Sequence, residues 1–352
     1  MACVKQGIES MNCLALMTCA ALILAPPDVE VPRASVLVVV GAAGNAEYGQ
    51  QFRTWAKRWE DGAKRGGAEF AAIGLDSEQT TADRETLKER LLSAARSQTP
   101  HPVQDGATPA NTEPLWLILI GHGTFDGKTA RFNLRGPDVS AAELAEWLTP
   151  LNRPLVIVNC ASSSGPFLPA LSGPNRVVIT ATRSGHEYNF ARFGDYLSAA
   201  INDPAADLDK DEQTSLLEAY LLAASRTAEF YESDGRLMTE HALLDDNGDK
   251  LGTPANWFQG VRAVKSPNRG AAVDGLRAAQ LHLVRSSQEA QLSVSVRQRR
   301  DQLETELAQL RPRKETLPEA EYLQMIEPLL LELARLYESA EHEKASGSRH
   351  AP

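Results

Sequence analysis

The sequence predicts an α/β fold, a doubly wound and mostly parallel sheet followed by a C-terminal helical hairpin. Three observations carry that expectation. Two apolar runs of strand length, one over Leu115 to Ile120 and one over Leu155 to Val158, show no polar alternation, as strands buried on both faces do. Between them, Asp138 to Leu151 carries Leu144, Trp147, Leu148 and Leu151 at helical spacing, the crossover that parallel pairing requires. Strand then helix recurs from Ala34 to Ile201, and past residue 270 two long amphipathic segments replace it.

The elements follow in order. Lys5, an apolar run from Cys13 to Ala25 and then Pro26-Pro27 read as an export signal over residues 1–25. A buried apolar N-terminus, or a start at Met11 that removes Lys5, is the other reading, and Cys19 is a candidate lipid anchor. The run is too short to span a bilayer comfortably, so no integral membrane protein is expected. Ala34 to Gly41 is the first buried strand, β-branched and ending at glycine. Asn45 to Gly66 is a helix with Phe52, Trp55, Ala56 and Trp59 on one face, stopped by Gly66-Gly67. Ala68 to Gly74 is a strand, Thr81 to Arg96 a helix, and Ser97 to Pro114 a surface loop. Another strand runs from Arg176 to Thr182, with helices over Tyr196 to Ile201 and Ser215 to Tyr231. Ser233 to Pro254 is acidic and turn-rich. The final segments, Leu276 to Leu310 and Pro318 to Glu341, meet at Arg311-Pro312 and pair through Leu303, Leu307 and Leu310 against Leu329, Leu330, Leu333 and Leu336. The divisions are therefore an α/β domain over 34–205, an acidic extension over 206–265 and a hairpin over 270–345.

Composition narrows the chemistry. With 36 basic and 46 acidic residues in 352, the net charge of −10 argues against nucleic acid or an anionic membrane as main partner. Cys3, Cys13 and Cys19 lie in the first twenty residues, which leaves Cys160 alone in the body, without a disulfide partner or zinc spacing. A lone thiol is either a small core residue or a kept nucleophile. His122 and Cys160 each follow a strand expected to neighbour the other, at the carboxyl edge where ligands bind in open α/β sheets. That pairing fits amide hydrolysis. Cys160 attacks the carbonyl, and His122 protonates the departing nitrogen and then activates water. The backbone N–H groups of Gly123 and Cys160 are the oxyanion candidates, and the small residues Ala161 to Gly165 leave room for a substrate chain.

The His122-Gly123 step after a buried strand, and Cys160 followed by small residues at the next strand end, resemble the caspase–haemoglobinase fold, and within it the legumain-like cysteine peptidases of bacterial type. The likeness runs from about Val36 to Ile201. It implies a protein or peptide substrate, His122 as general acid/base, Cys160 as nucleophile, and an acidic specificity residue in the Gly-Asp position, Asp195, with Ser162 and Thr182 nearby in the substrate site. Asp195 suits a helix N-cap equally. The acidic residue that legumains carry two places before the cysteine is Val158 here, and their basic specificity residue has no match in Glu47-Tyr48-Gly49. The asparagine that assists their histidine falls on Glu47, with Asn45 nearby. No cofactor is needed for such catalysis. The other class of function is an inactive scaffold that binds proteins through its C-terminal helices.

Asp207, Asp209, Asp211, Gln213 (through its carbonyl), Ser215 and Glu218 stand at the ligand positions of an EF-hand loop, which suits calcium. Glu212 replaces the turn glycine, and the same residues also read as an acidic helix start in which Ser215 and Glu218 form a capping box.

Overall fold

A computed structural model describes residues 33–76, 82–96, 113–265 and 273–347; the apolar leader, its three cysteines and most of the 97–114 loop lie outside them. The elements are β1 (Ser35–Val40), α1 (Ala46–Arg65), β2 (Glu69–Ile73), α2 (Asp83–Arg96), β3 (Leu115–Ile120), β4 (Gly123–Phe125), β5 (Ala130–Phe132), β6 (Val139–Ser140) and α3 (Ala141–Leu148). There follow β7 (Leu155–Asn159), α4 (Phe167–Leu171), β8 (Arg176–Thr180), α5 (Phe193–Ala200), α6 (Leu216–Ser233), β9 (Leu243–Asp245) and β10 (Thr253–Pro254). The chain ends with β11 (Phe258–Gln259), β12 (Arg262–Ala263), α7 (Leu276–Gln280), α8 (Ser287–Gln291), α9 (Val294–Leu310) and α10 (Glu319–Gly347).

The main sheet has the order β10-β9-β8-β7-β3-β1-β2, parallel from β8 to β2 and antiparallel at β9 and β10. This is the predicted doubly wound class. Alternation along each strand divides the core into two layers. Val38, Ile118, Val156, Val158 and Cys160 face α1, α5 and α6. Val39, Leu117, Leu119 and Ile157 face α2, α3 and α4. Asn45 caps α1 where the sequence places its start, accepting from Tyr48 N–H at 2.9 Å, whereas α3 is shorter than the expected Asp138 to Leu151 because Ser140 and Glu143 close a capping box at its start.

Three features differ from the expectation. The acidic stretch past residue 233 holds β9 and β10, so the sheet continues into the 206–265 segment; strands of three and two residues are too short to show alternation. The small β4-β5-β6 sheet, rising directly after His122, escapes notice for the same reason. The single helix expected over Leu276 to Leu310 is three, because Ser286 and Ser293 each accept a hydrogen bond from the third residue onward and so start a new helix. The hairpin of α9 and α10 is present. Leu303, Leu307 and Leu310 are buried, whereas Leu330 and Leu331 on α10 stay exposed. No helix of the described residues is long and apolar enough to cross a membrane.

Candidate functional site

Register decides what meets at the carboxyl edge. Leu119 pairs with Asn159 across the parallel β3–β7 ladder, and the Cys160 N–H donates to the Leu119 carbonyl at 2.9 Å, so His122 and Cys160 leave adjoining strand ends. Strand alternation then turns the Cys160 side chain into the α1/α5 layer, where it is 1 % exposed. It lies against Gly194, which also abuts Trp55. A Cβ on Gly194 would stand 2.6 Å from Cys160 Cβ and 3.0 Å from Sγ, so only glycine lets α5 rest on the thiol. Burial, followed by the nearby Glu240 carboxylate, pushes the thiol up to about 12. At pH 7 the thiolate then amounts to about one part in 10⁵.

The His122 ring is half-buried in the same layer. It packs edge-on against Tyr48 and Phe52, with centroids at 5.0 and 5.3 Å, and lies 5.8 Å from Phe190. Its Nε2 is 3.3 Å from the Ala43 carbonyl oxygen. Imidazole and thiol thus lie in the same layer, His122 against Phe52 of α1 and Cys160 against Gly194, which itself abuts Trp55 of α1. No hydrogen bond joins them among the described residues.

The remaining predicted site residues are engaged elsewhere. Gly123 N–H donates to Ser162 Oγ at 3.2 Å, and that hydroxyl donates back to the Gly123 carbonyl at 3.2 Å. Both oxyanion candidates therefore have partners, Gly123 on Ser162 and Cys160 on Leu119, and neither is free for a substrate oxygen. Ser162 and Thr182 are buried structural hydroxyls; Thr182 Oγ1 accepts from Gly165 N–H at 2.9 Å and donates to the Ser184 carbonyl at 3.2 Å. Asp195 does not cap α5: Arg192 holds the cap position, and Asp195 in the first turn pairs with Arg58 of α1 at 2.6 Å. The space that the small residues 161–165 would leave is filled by the following loop. A Cβ on Gly165 would come within 2.4 Å of Arg183 and Ser184 backbone atoms, and Ser163, with φ of 54°, donates its N–H to the Glu187 carbonyl at 2.8 Å. The Glu187 carboxylate fastens that loop, accepting from Arg183 N–H at 2.9 Å and contacting His241 Nδ1 at 2.6 Å.

An open cavity of about 300 Å³ lies beside His122. Tyr48 and Phe190, which touch the His122 ring, form one wall, and Phe230 and Tyr231 of α6 form another. Glu47, Arg192 and Arg236 supply its charges. Buried Glu240 fixes this wall: its carboxylate accepts from Arg192 N–H at 2.8 Å, Phe193 N–H at 2.9 Å and the Tyr231 hydroxyl at 3.0 Å. Burial raises the Glu240 pKa, and the two N–H donors oppose that rise. Sequence reasoning missed Phe190, Arg192 and Glu240. Aromatic residues in the 188–193 loop and at the end of α6 were the visible trace, but their convergence is a tertiary fact.

The predicted calcium loop is half assembled. Carboxylate oxygens of Asp207, Asp209 and Asp211 lie within 4.8 Å of one another. Glu218 is turned inward, where its two oxygens accept from Leu208 N–H at 2.7 Å and Ser215 N–H at 2.8 Å, and Ser215 caps α6. The Gln213 amide nitrogen donates to Asp211 at 2.8 Å and its oxygen accepts from Ser286 N–H at 3.1 Å. Asp207 itself accepts three backbone N–H groups. Three of the expected ligands gather; Ser215 and Glu218 form the capping box instead, so the full EF-hand set does not fit. Mutual repulsion and partial burial raise the Asp209 pKa, burial being the larger cause, to about 6.

No protein-family model matches the chain, and no curated protein matches it. Among solved structures the chain is similar to the crystal structure of the Drosophila initiator caspase Dronc, at 13 % identity, with 73 % of this chain and 96 % of that one covered and a TM-score of 0.40.

Proposed function

We propose that this chain is a cysteine-peptidase-like scaffold that binds peptide chains in the aromatic cleft beside His122 and holds its one body thiol masked. The observation that carries the reading is the contrast across α1. An open cavity is walled by Tyr48 and Phe190, the rings that pack on His122, while Cys160 is sealed beneath Gly194 and strongly disfavoured as a thiolate. The sequence resemblance to legumain-like peptidases supports a peptide as the ligand class.

Hydrolysis through Cys160 and His122 is the second reading, and one observation favours it: the two residues leave adjoining parallel strands into one layer. It requires α5 to lift from the thiol. Iodoacetamide separates the two. The masked state predicts no alkylation of Cys160 in the folded chain and full alkylation in urea. Rapid labelling of the native protein that His122→Ala suppresses would establish the peptidase instead.

Export is proposed on the leader alone; intact-mass measurement of the protein recovered from its source cells tests it, with loss of about 25 residues expected.

A further inference from the structure

A second cavity, of about 340 Å³, opens where the loop ahead of α6 meets the C-terminal helices. Gln213 ties the two sides together, its side-chain oxygen accepting from Ser286 N–H at 3.1 Å. Asp209 and Asp211 line the cavity from the loop, Glu289 and Glu304 line it from α8 and α9, and Arg300 is the one guanidinium on the lining. That guanidinium is already spent, donating to Glu289 at 2.6 Å and to Asp301 at 2.7 Å. Behind the lining stand the carboxylates of Asp207, Glu218 and Asp301. The cations around them are committed too, Lys210 to the Asp207 carbonyl and Arg285 and Arg297 to Glu113. The amide nitrogens of Gln213 and Gln280 also turn to acids, donating to Asp211 at 2.8 Å and to Glu304 at 3.2 Å.

The lining therefore holds acceptors in surplus of donors. His282 adds one more: burial lowers its pKa, so the ring is neutral at pH 7, and neither ring nitrogen has a hydrogen-bond partner among the described residues. Burial raises the Glu304 pKa, a rise that a cation beside it would oppose. Leu276, Ala279, Leu292 and the Tyr337 ring complete the wall with apolar surface. An acceptor-rich pocket with an apolar side suits a group that only donates and sits on a hydrocarbon stem.

We infer that this cavity binds an organic cation, an ammonium or guanidinium on an aliphatic stem, which bridges the loop ahead of α6 and the C-terminal helices. A free diamine and a basic side chain of a peptide offer the same chemistry. The site shares no lining residue with the cavity beside His122 and is independent of what that cavity binds.

Isothermal titration calorimetry on the full-length chain tests it with the diamine cadaverine, with pentanediol as the neutral isostere, and with two acetylated, amidated pentapeptides that differ only in a central Lys or Gln. One or both cations should bind about tenfold tighter than the neutral partner, and which one binds tells a free diamine from a basic side chain. Glu304→Gln should weaken that binding about fivefold. Asp61→Asn, which takes the same charge from the exposed face of α1, should leave it unchanged. Melting temperatures record that each variant folds, and Asp211→Asn on the loop side replaces Glu304→Gln if the latter does not. The His282 and Tyr337 ring resonances should move when the cation binds. Equal binding of charged and neutral probes, equal weakening by the cavity variant and Asp61→Asn, or no binding by either cation overturns the inference. Calcium chloride alone is the last arm: if it moves the His282 and Tyr337 rings and neither organic cation does, the cavity is a metal site and the organic cation is ruled out.

Discussion

At Cys160 the cost of ionisation is set by burial and then by the Glu240 carboxylate, and Gly194 is the neighbour that lets the burial be so complete. Its missing side chain is filled by the cysteine, so the site behaves as close-packed core. Gly194→Ala should overpack it and destabilise the fold by about 1–3 kcal/mol in urea unfolding. Adding Cys160→Ala removes the sulfur at 3.0 Å but leaves the Cβ contact at 2.6 Å, so the double variant should recover only part of that loss. The thiol's location was readable in the sequence; its cover was not. A run of Leu-Val-Ile-Val-Asn-Cys locates the strand end and puts the cysteine on the face of Val156 and Val158, whereas its cover comes from Gly194, far along the chain. His122 was likewise legible as a strand-end residue, but its aromatic cage comes from α1 and the 188–193 loop.

Among the elements, α6 is organised by its first turn. Glu218 accepts from Leu208 N–H, Asp209 N–H and Ser215 N–H, and so ties the acidic loop to the helix that it precedes. Glu218→Ala leaves the buried Ser215 N–H and the two part-buried donors without their acceptor and should cost about 2–3 kcal/mol, more than the loss of an ordinary cap. With Glu218 occupied, the three aspartates are the part of the predicted ligand set that stays gathered. Calcium is expected to raise the melting temperature only at millimolar concentrations, as in weak extracellular sites, and a shift at micromolar levels would show that the loop rearranges into a full ligand set. The sequence pattern here admitted two structures, and the capping box is the one formed. Spacing alone could not separate them, since Ser215 and Glu218 sit three residues apart in both. Helix α1 and the buried strand β3, by contrast, were legible, because Phe52, Trp55 and Trp59 or the run at Leu115 leave no second way to bury their surface.

Across the whole molecule, several carboxylates lie deeper than charge ordinarily allows. Asp274 accepts from Asp246 N–H at 2.9 Å and from the Thr253 hydroxyl at 2.6 Å, joining β9 and β10 to the start of α7. Burial, and then the neighbouring Asp246 and Asp245 charges, raises its pKa above the ordinary carboxylate value of 3.8. A raised native pKa means that the folded state holds the proton more tightly. This contribution to stability is complete below the unfolded pKa and is lost as pH rises towards the native one. The urea midpoint should therefore fall between about pH 4.5 and 7.5, and Asp274→Asn should flatten that slope even where it lowers stability overall. His282, whose pKa burial lowers, acts in the opposite sense by weakening the fold as pH drops below about 6.5. A slope that stays unchanged in Asp274→Asn would assign the pH dependence to other buried acids such as Glu240. The last strand of the sheet holds a separate consequence. β10 has only two residues, and the second is Pro254, which offers no N–H to a further ladder. A strand from another molecule finds nothing to zip onto at that margin, so the protein is guarded there against growing into fibrils through its own backbone.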